Sequence, residues 1–220
     1  SEGSLATRPK MTVKTTTFIT GCSTALALGS AGWVLASLSV VAALAAVSSV
    51  WRRWPAVALG GLVMVLGTYA LWAVGNPARG GAFHFASEPV FAPVMLLLYA
   101  LVFGALPLFR PAGETEDPSA IAGGLVTCAM AYGLFLVHTA AAFQRIFVVA
   151  QIGSAALFLG LAVTFWIRRH SHVSTFFYAM TGYAALSMAL IKLAPSPEVF
   201  VWLSVQSVVV VTTAIWFRSR

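Results

Sequence analysis

The sequence has few charged residues, and acidic residues are the rarest of them. Only 9% of its side chains are charged and 60% are apolar, whereas about 25% are charged in an average soluble domain. The six acids all lie between apolar runs or near a terminus: Glu2, Glu88, Glu114, Glu116, Asp117 and Glu198. A charge at the centre of a bilayer costs about 2.5–3.5 kcal/mol on insertion scales. The composition therefore excludes an ordinary soluble domain and predicts an all-α integral membrane protein.

Cysteine is also scarce, and its spacing does not suit a metal. The two cysteines, Cys22 and Cys128, lie in separate apolar segments, whereas paired zinc ligands are typically two to four residues apart. No metal site is expected, no motif implies a cofactor, and no clustered nucleophile and base indicate an enzyme. The net charge of +7 does not indicate nucleic-acid binding, because the basic residues stand at the ends of apolar runs, as topology signals do.

Seven apolar segments are long enough to cross a bilayer, whose core of about 30 Å takes about 20 helical residues. Short loops with basic, Gly, Pro or Trp residues separate them. The predicted spans are residues 31–50, 55–74, 90–109, 120–143, 146–167, 174–191 and 198–217. They form one helical domain, residues 15–220, after a polar and basic tail at residues 1–14. We expect the hairpin at residues 120–169 to be its firmest unit.

The uncharged run from Thr15 to Val50 leaves the number of spans open. Its 36 residues are too many for one upright span and few for two. We expect one span that ends near Val50, preceded by an interfacial or partly inserted segment. A tight pair of short spans that turns at residues 29–32 is the alternative, and it gives eight spans.

Basic residues are distributed unevenly between the two sides of the seven-span arrangement. The loops of one side have Arg79, Arg145 and Lys192, whereas the loops and C-terminus of the other side have seven arginines: Arg52, Arg53, Arg110, Arg168, Arg169, Arg218 and Arg220. The three bases of the tail, Arg8, Lys10 and Lys14, fall on the first side with seven spans and on the second side with eight. Cytoplasmic loops carry an excess of Lys and Arg. We therefore predict an inner-membrane protein with a cytoplasmic C-terminus. Interfacial, topology-setting roles are assigned to Arg52, Arg53, Arg145, Arg168, Arg169 and Lys192.

Three polar side chains inside the spans are candidate intramembrane contacts: His138, Gln151 and Gln206. His138 could bind a cofactor, relay protons or contact a solute. A bis-histidine haem needs a second buried histidine, but the other three histidines lie in loops or at interfaces. We therefore expect His138 to bond a neighbouring helix, a common use of polar residues in membranes.

Gln144 and Arg145 separate the fourth and fifth predicted spans. An unbroken helix would place Arg145 two turns from His138 on the same face, with Gln151 further on. Apart from Glu198, at the very end of the last predicted span, no span contains a carboxylate that could pair with such a buried arginine. We therefore predict a tight interfacial turn at Gln144–Arg145.

Two segments carry a resemblance to a known family. They are WRRWPAVALGGLVMVLGTYALW (Trp51–Trp72) and FVWLSVQSVVVVTTAIWFRSR (Phe200–Arg220). From about Trp33 to Arg220 the chain resembles a large bacterial multi-pass membrane protein family of unknown function. Its members are generally much longer and have a cytoplasmic N-terminal region that is not seen here. The resemblance implies Ala/Leu/Gly-rich spans with basic, aromatic connections, and it implies no activity.

The expected function is that of a non-catalytic membrane protein, a scaffold or subunit of a larger membrane assembly. Its expected partners are the lipid bilayer and other membrane chains or further copies of itself. The alternative is a channel or carrier for a small or apolar solute, with a pathway near His138. A carrier should have a polar cavity that reaches mid-membrane, and an inverted repeat. A subunit should have a tightly packed interior and a large apolar exterior.

Overall fold

The computed structural model describes residues 31–52, 55–75, 84–109 and 118–218, and all regular structure in these ranges is helical. The α-helices are α1 (Ala31–Arg52), α2 (Pro55–Ala73), α3 (Ala92–Ala105), α4 (Pro118–Val126), α5 (Tyr132–Ala142), α6 (Phe147–Arg169), α7 (His172–Leu193) and α8 (Glu198–Arg218). A 3-10 turn, Leu106–Phe109, extends α3, and a π-helical turn, Thr127–Ala131, joins α4 to α5. The all-helical prediction is confirmed. The predictions for residues 1–30 and for Arg53, Arg79, Arg110 and Arg220 lie outside the described residues.

Six stretches of the described ranges are long and apolar enough to cross a membrane: residues 31–48, 92–109, 121–142, 147–169, 172–193 and 198–215. The apolar part of α2, Val57–Ala73, is shorter. Each predicted span coincides with a helical stretch to within two residues at either end. Six such helices fit a multi-pass membrane protein, and the count of seven spans stays a prediction.

Local signals at the helix ends explain where the apolar runs stop. Pro55 and Pro118 each begin a helix, a position where the missing proline N–H is not needed. At the end of α6, His170 has the left-handed conformation (φ 51°) that often closes a helix. Ser171 then caps α7 by accepting a hydrogen bond from the Ser174 N–H at 3.1 Å. The chain thus turns from α6 into α7 within two residues.

The most extensively packed pair of helices is α6 with α7, and not α5 with α6 as the hairpin prediction expected. Gly182 of α7 explains the difference, because a Cβ atom there would lie 2.7 Å from the Leu159 Cγ of α6. Its absence lets the two backbones approach closely. Tyr178 of α7 adds a buried contact, since its ring stacks on Phe165 of α6 with centroids 5.2 Å apart. The last helix, α8, packs mainly on α7.

Candidate functional site

His138 lies in α5 with its side chain fully buried and both ring nitrogens hydrogen-bonded. Nδ1 is 2.9 Å from the hydroxyl oxygen of Tyr69 in α2, and Nε2 is 2.7 Å from the carbonyl oxygen of Ala86 in the α2–α3 loop. A carbonyl oxygen only accepts, so we assign the ring proton to Nε2, which donates to Ala86. Nδ1 of the neutral ring then accepts from the Tyr69 hydroxyl. We call Tyr69, His138 and Ala86 the His138 latch.

Aromatic rings enclose the imidazole. The centroids of Phe143, Tyr69 and Trp72 lie 5.2, 5.7 and 6.1 Å from that of His138, each in an edge-to-face arrangement. Phe85, from the same loop as Ala86, lies 6.4 Å away. These surroundings are apolar apart from the two hydrogen-bond partners of His138. The two hydrogen bonds therefore hold the imidazole in one orientation.

The latch also fastens the loop between α2 and α3. The Ala86 N–H donates to the carbonyl oxygen of Ala73 at the end of α2, at 2.9 Å, while its own carbonyl accepts from His138. One loop residue is therefore tied to two helices. His138 is four residues from the end of α5 at Ala142, which is about 6 Å or one turn. The latch consequently lies near one end of the bundle and not at its middle.

A second buried polar group, the Gln151 cluster, joins α5 to α6. It consists of Gln151, Thr139, Tyr132 and Ser154. The Gln151 Nε2 donates to the Thr139 Oγ1 at 3.2 Å, and the Gln151 Oε1 accepts from the Tyr132 hydroxyl at 3.2 Å. The Ser154 Oγ donates to the Gln151 carbonyl oxygen at 2.9 Å. Both ends of the amide are thus bonded within the chain, as a buried amide requires.

A third polar contact, the Gln206 clasp, joins α8 to α7. The Gln206 Nε2 donates to the carbonyl oxygen of Tyr183 at 2.8 Å and to the Ser187 Oγ at 2.9 Å. Further along the same pair of helices, the hydroxyls of Tyr183 and Thr213 lie 3.0 Å apart. Polar contacts of this kind orient α8 on a surface that is otherwise apolar.

Removing the Gln206 clasp should loosen α8 alone. For Gln206→Leu we expect a loss of about 1 kcal/mol in the free energy of unfolding, because interhelical bonds of this type contribute about 0.6–1.7 kcal/mol. Unfolding in detergent measures it. Thr212→Val is the matched control, since the Thr212 hydroxyl is on an exposed residue and bonds only its own helix, at Val208. Equal stability of the two variants would contradict the clasp.

The interfacial residues predicted from the sequence lie apart from these clusters. Arg145 is exposed in a turn at residues 144–146, and Arg168 and Lys192 are also exposed. Helix α5 ends at Ala142, and the backbone of the next residue, Phe143, leaves the helical region (φ −125°, ψ 43°). The alternative of an unbroken polar face shared by His138 and Arg145 is therefore wrong.

The interfacial candidate Arg169 is bonded to another element. It is partly buried, and its Nε and Nη2 both donate to the carbonyl oxygen of Pro107 in the 3-10 turn after α3. This contact fastens the end of α6 to α3. Arg52 is the last residue of α1.

Sequence reasoning found His138, Gln151 and Gln206 but missed what they bind. Tyr69 and Tyr132 could have been identified as candidate partners, because each has a polar hydroxyl inside a predicted span. The carbonyl oxygens of Ala86 and Tyr183 have no signal in the sequence. Across the described residues, no group of three or more His, Cys, Asp or Glu side chains comes together as a metal site would require.

Over the residues that the structure describes, the fold and its polar clusters define a class: a bundle of apolar helices, six of them long enough to cross a membrane, joined by isolated buried polar contacts. Comparisons with protein-family models, with curated proteins and with solved structures gave no match to this chain. The resemblance to a bacterial membrane family of unknown function stays a prediction.

Proposed function

We propose that this chain is a non-catalytic, multi-pass integral membrane protein that serves as a scaffold or subunit of a larger membrane assembly. One observation supports this above others. The three polar side chains predicted to lie inside the spans, His138, Gln151 and Gln206, each bond to groups of the chain itself. Their hydrogen-bonding capacity is directed to holding helices and a loop together, which is a structural use.

The exterior supports the same proposal. Large apolar side chains point outward along α1 and α8, among them Val40 (59% exposed), Val208 (66%) and Ile215 (63%). Many exposed, large apolar side chains along a helix are typical of contact with a membrane or with another protein. Lipid or partner helices are the surroundings in which these faces are stable.

The orientation proposed for the chain follows the charges at the helix ends. Arg168 and Arg169 close α6, and Arg218 closes α8. Arg145 and Lys192 stand at the other end of α6 and α7. By the positive-inside rule we propose an inner-membrane location with the C-terminus in the cytoplasm.

Membrane insertion and orientation can be tested with the full chain in bacterial cells. We expect it to stay in the membrane pellet after alkaline carbonate extraction. A fluorescent protein fused after Arg220 should fold and fluoresce in the cytoplasm, whereas alkaline phosphatase fused after Ala194 should be active outside it. Release by carbonate would contradict insertion, and the opposite pair of reporter signals would contradict the orientation.

The scaffold role needs a separate measurement. In a mild detergent we expect the full chain to run in a defined complex, with a second chain or a further copy in fixed stoichiometry.

The channel or carrier alternative places the solute pathway near His138. Because the Ala86 carbonyl oxygen in the loop at residues 84–88 is bonded to His138, this loop would have to move away for a solute to reach the imidazole. Vesicles containing the purified chain should therefore take up glycerol and urea no faster than empty vesicles. Uptake that His138→Leu changes would favour the alternative.

A further inference from the structure

A groove of about 440 Å³ lies between α7 and α8, with Trp166 of α6 at one end. We call it the α7/α8 groove. Its mouth is formed by Trp166 and His172, whose rings are 5.5 Å apart. Its walls include Met180 and Tyr183 of α7 and Val210 and Ala214 of α8. The volume lies in the range of about 300–1,000 Å³ that is usual for ligand pockets.

The depth of the groove matches one leaflet of a bilayer. Along α7 it extends from His172 to Tyr183, which at 1.5 Å per residue is about 16 Å. Half of a hydrocarbon core of about 30 Å is about 15 Å. Just beyond Tyr183, the Gln206 clasp joins the two helices and closes the inner end. The groove therefore runs from the level of the helix ends to mid-membrane.

The walls are apolar in effect, because their hydroxyls are already hydrogen-bonded. The Thr175 Oγ1 is 3.5 Å from the Ala162 carbonyl oxygen, to which it donates. The Tyr183 hydroxyl pairs with Thr213, and the Thr213 Oγ1 is 2.6 Å from the Val209 carbonyl oxygen. The hydroxyls thus bond within the wall, and a hydrocarbon chain fits the groove better than a polar solute.

The mouth, in contrast, is basic. His172, the first residue of α7, is exposed there. The exposed Arg168 is the last residue but one of α6, and the exposed His170 lies in the connection between the two helices. The helices that line the groove contain one acid, Glu198, and it stands at the opposite end of α8. Basic pockets between membrane helices on the cytoplasmic side bind anionic lipid headgroups. The charge at the mouth therefore complements a phosphate.

We propose that the α7/α8 groove binds one acyl chain of an anionic glycerophospholipid, whose phosphate lies beside His172. The proposal rests on membrane insertion as proposed above. A lipid held in this way covers part of the outward surface of α7 and α8 and stabilises the attachment of α8 to the bundle.

The test uses the full chain, purified in dodecyl maltoside, and native mass spectrometry to count bound phospholipid. Dioleoyl phosphatidylglycerol is compared with dioleoyl phosphatidylcholine, which has the same acyl chains and no net charge. We expect one bound phosphatidylglycerol per chain and an affinity about fivefold above that for phosphatidylcholine, the preference that one basic group near an anionic headgroup provides. His172→Gln, together with Arg168→Gln, should remove the preference.

Larger side chains in the α7/α8 groove should prevent phosphatidylglycerol from binding. Ala214→Trp and Ala179→Phe add bulk from opposite walls, and each should lower phosphatidylglycerol binding at least tenfold. Val208→Trp is the matched control, because Val208 lies on α8 but does not line the groove. Unchanged binding in both filled variants would overturn the proposal, as would equal affinity for the two lipids. Insertion is judged separately by carbonate extraction, so a chain that stays in the membrane but holds no phosphatidylglycerol counts against the groove only.

Discussion

Replacing Gly182 with leucine is expected to push α7 away from α6 and to lower the free energy of unfolding by about 3 kcal/mol, the upper part of the usual range for overpacking. A Cβ atom at Gly182 would lie 2.7 Å from the Leu159 Cγ and 3.1 Å from the Leu159 backbone nitrogen. A side chain could rotate away, but a helix backbone cannot. Because α6 and α7 form the most extensively packed pair, the separation should be felt across the bundle. Unfolding in detergent measures the loss.

Gly160→Leu is the matched control for this prediction. Gly160 is exposed on α6, and a Cβ atom there would meet nothing within 4 Å. The same substitution should be neutral or slightly stabilising, because leucine has a higher helix propensity than glycine by somewhat under 1 kcal/mol. If Gly182→Leu proves as stable as Gly160→Leu, the close approach of α6 and α7 does not exist.

Replacing His138 with leucine is the second change with a large expected effect, again about 3 kcal/mol. The substitution leaves the Ala86 carbonyl oxygen and the Tyr69 hydroxyl without partners. A buried group that loses its partner costs about 1–3 kcal/mol. The Tyr69 hydroxyl is buried, and the bond to Ala86 is partly buried. The α2–α3 loop should also come loose at Ala86, since the latch ties this residue to α5. Faster hydrogen exchange of the Ala86 N–H, which bonds the Ala73 carbonyl, would report this locally.

Two further variants distinguish the loss of the His138 latch from a general effect of mutating α5. Val137→Leu, at an outward position that is 51% exposed, should change neither stability nor exchange. Tyr69→Phe, alone and combined with His138→Leu, completes a double-mutant cycle, in which residues in contact show a coupling of about 0.5–3 kcal/mol. If His138→Leu kept normal stability but lost a bound pigment or a transport activity, the histidine would have a role other than packing.

The course of the chain through the helices could be predicted from the sequence almost to the residue. Helix α6 is the plainest example: the apolar run after Arg145 and the pair Arg168–Arg169 predict a span at residues 146–167, and the helix is Phe147–Arg169. The turn at Gln144–Arg145 follows from the cost of placing an arginine in hydrocarbon. Both inferences depend on local composition, which needs no knowledge of neighbouring helices.

The partners of the candidate site could not be predicted in the same way. Tyr69 is 69 residues from His138, and the atom that Ala86 supplies is a backbone oxygen that any residue would have. The predicted span of residues 120–143 already places His138 near one end, and the helix does end one turn after it, at Ala142. Gly182 was overlooked, since a glycine in an apolar run does not reveal which helix it faces.

By itself, the sequence determined that the described chain is helical, where each apolar helix begins and ends, and which few polar side chains its interior must accommodate. Hydropathy and charge suffice for this, because each polar residue adds its own free-energy cost of exposure to hydrocarbon, whichever helices surround it. Only the tertiary structure decided that α6 packs on α7, that His138 fastens a loop, and that α7 and α8 leave a groove between them. When nearly every face of a helix is apolar, hydropathy does not determine which helix packs against which. Shape and hydrogen bonding determine it instead. The missing Cβ at Gly182 lets α7 approach α6, and the Tyr69 hydroxyl lies within hydrogen-bond distance of the His138 imidazole.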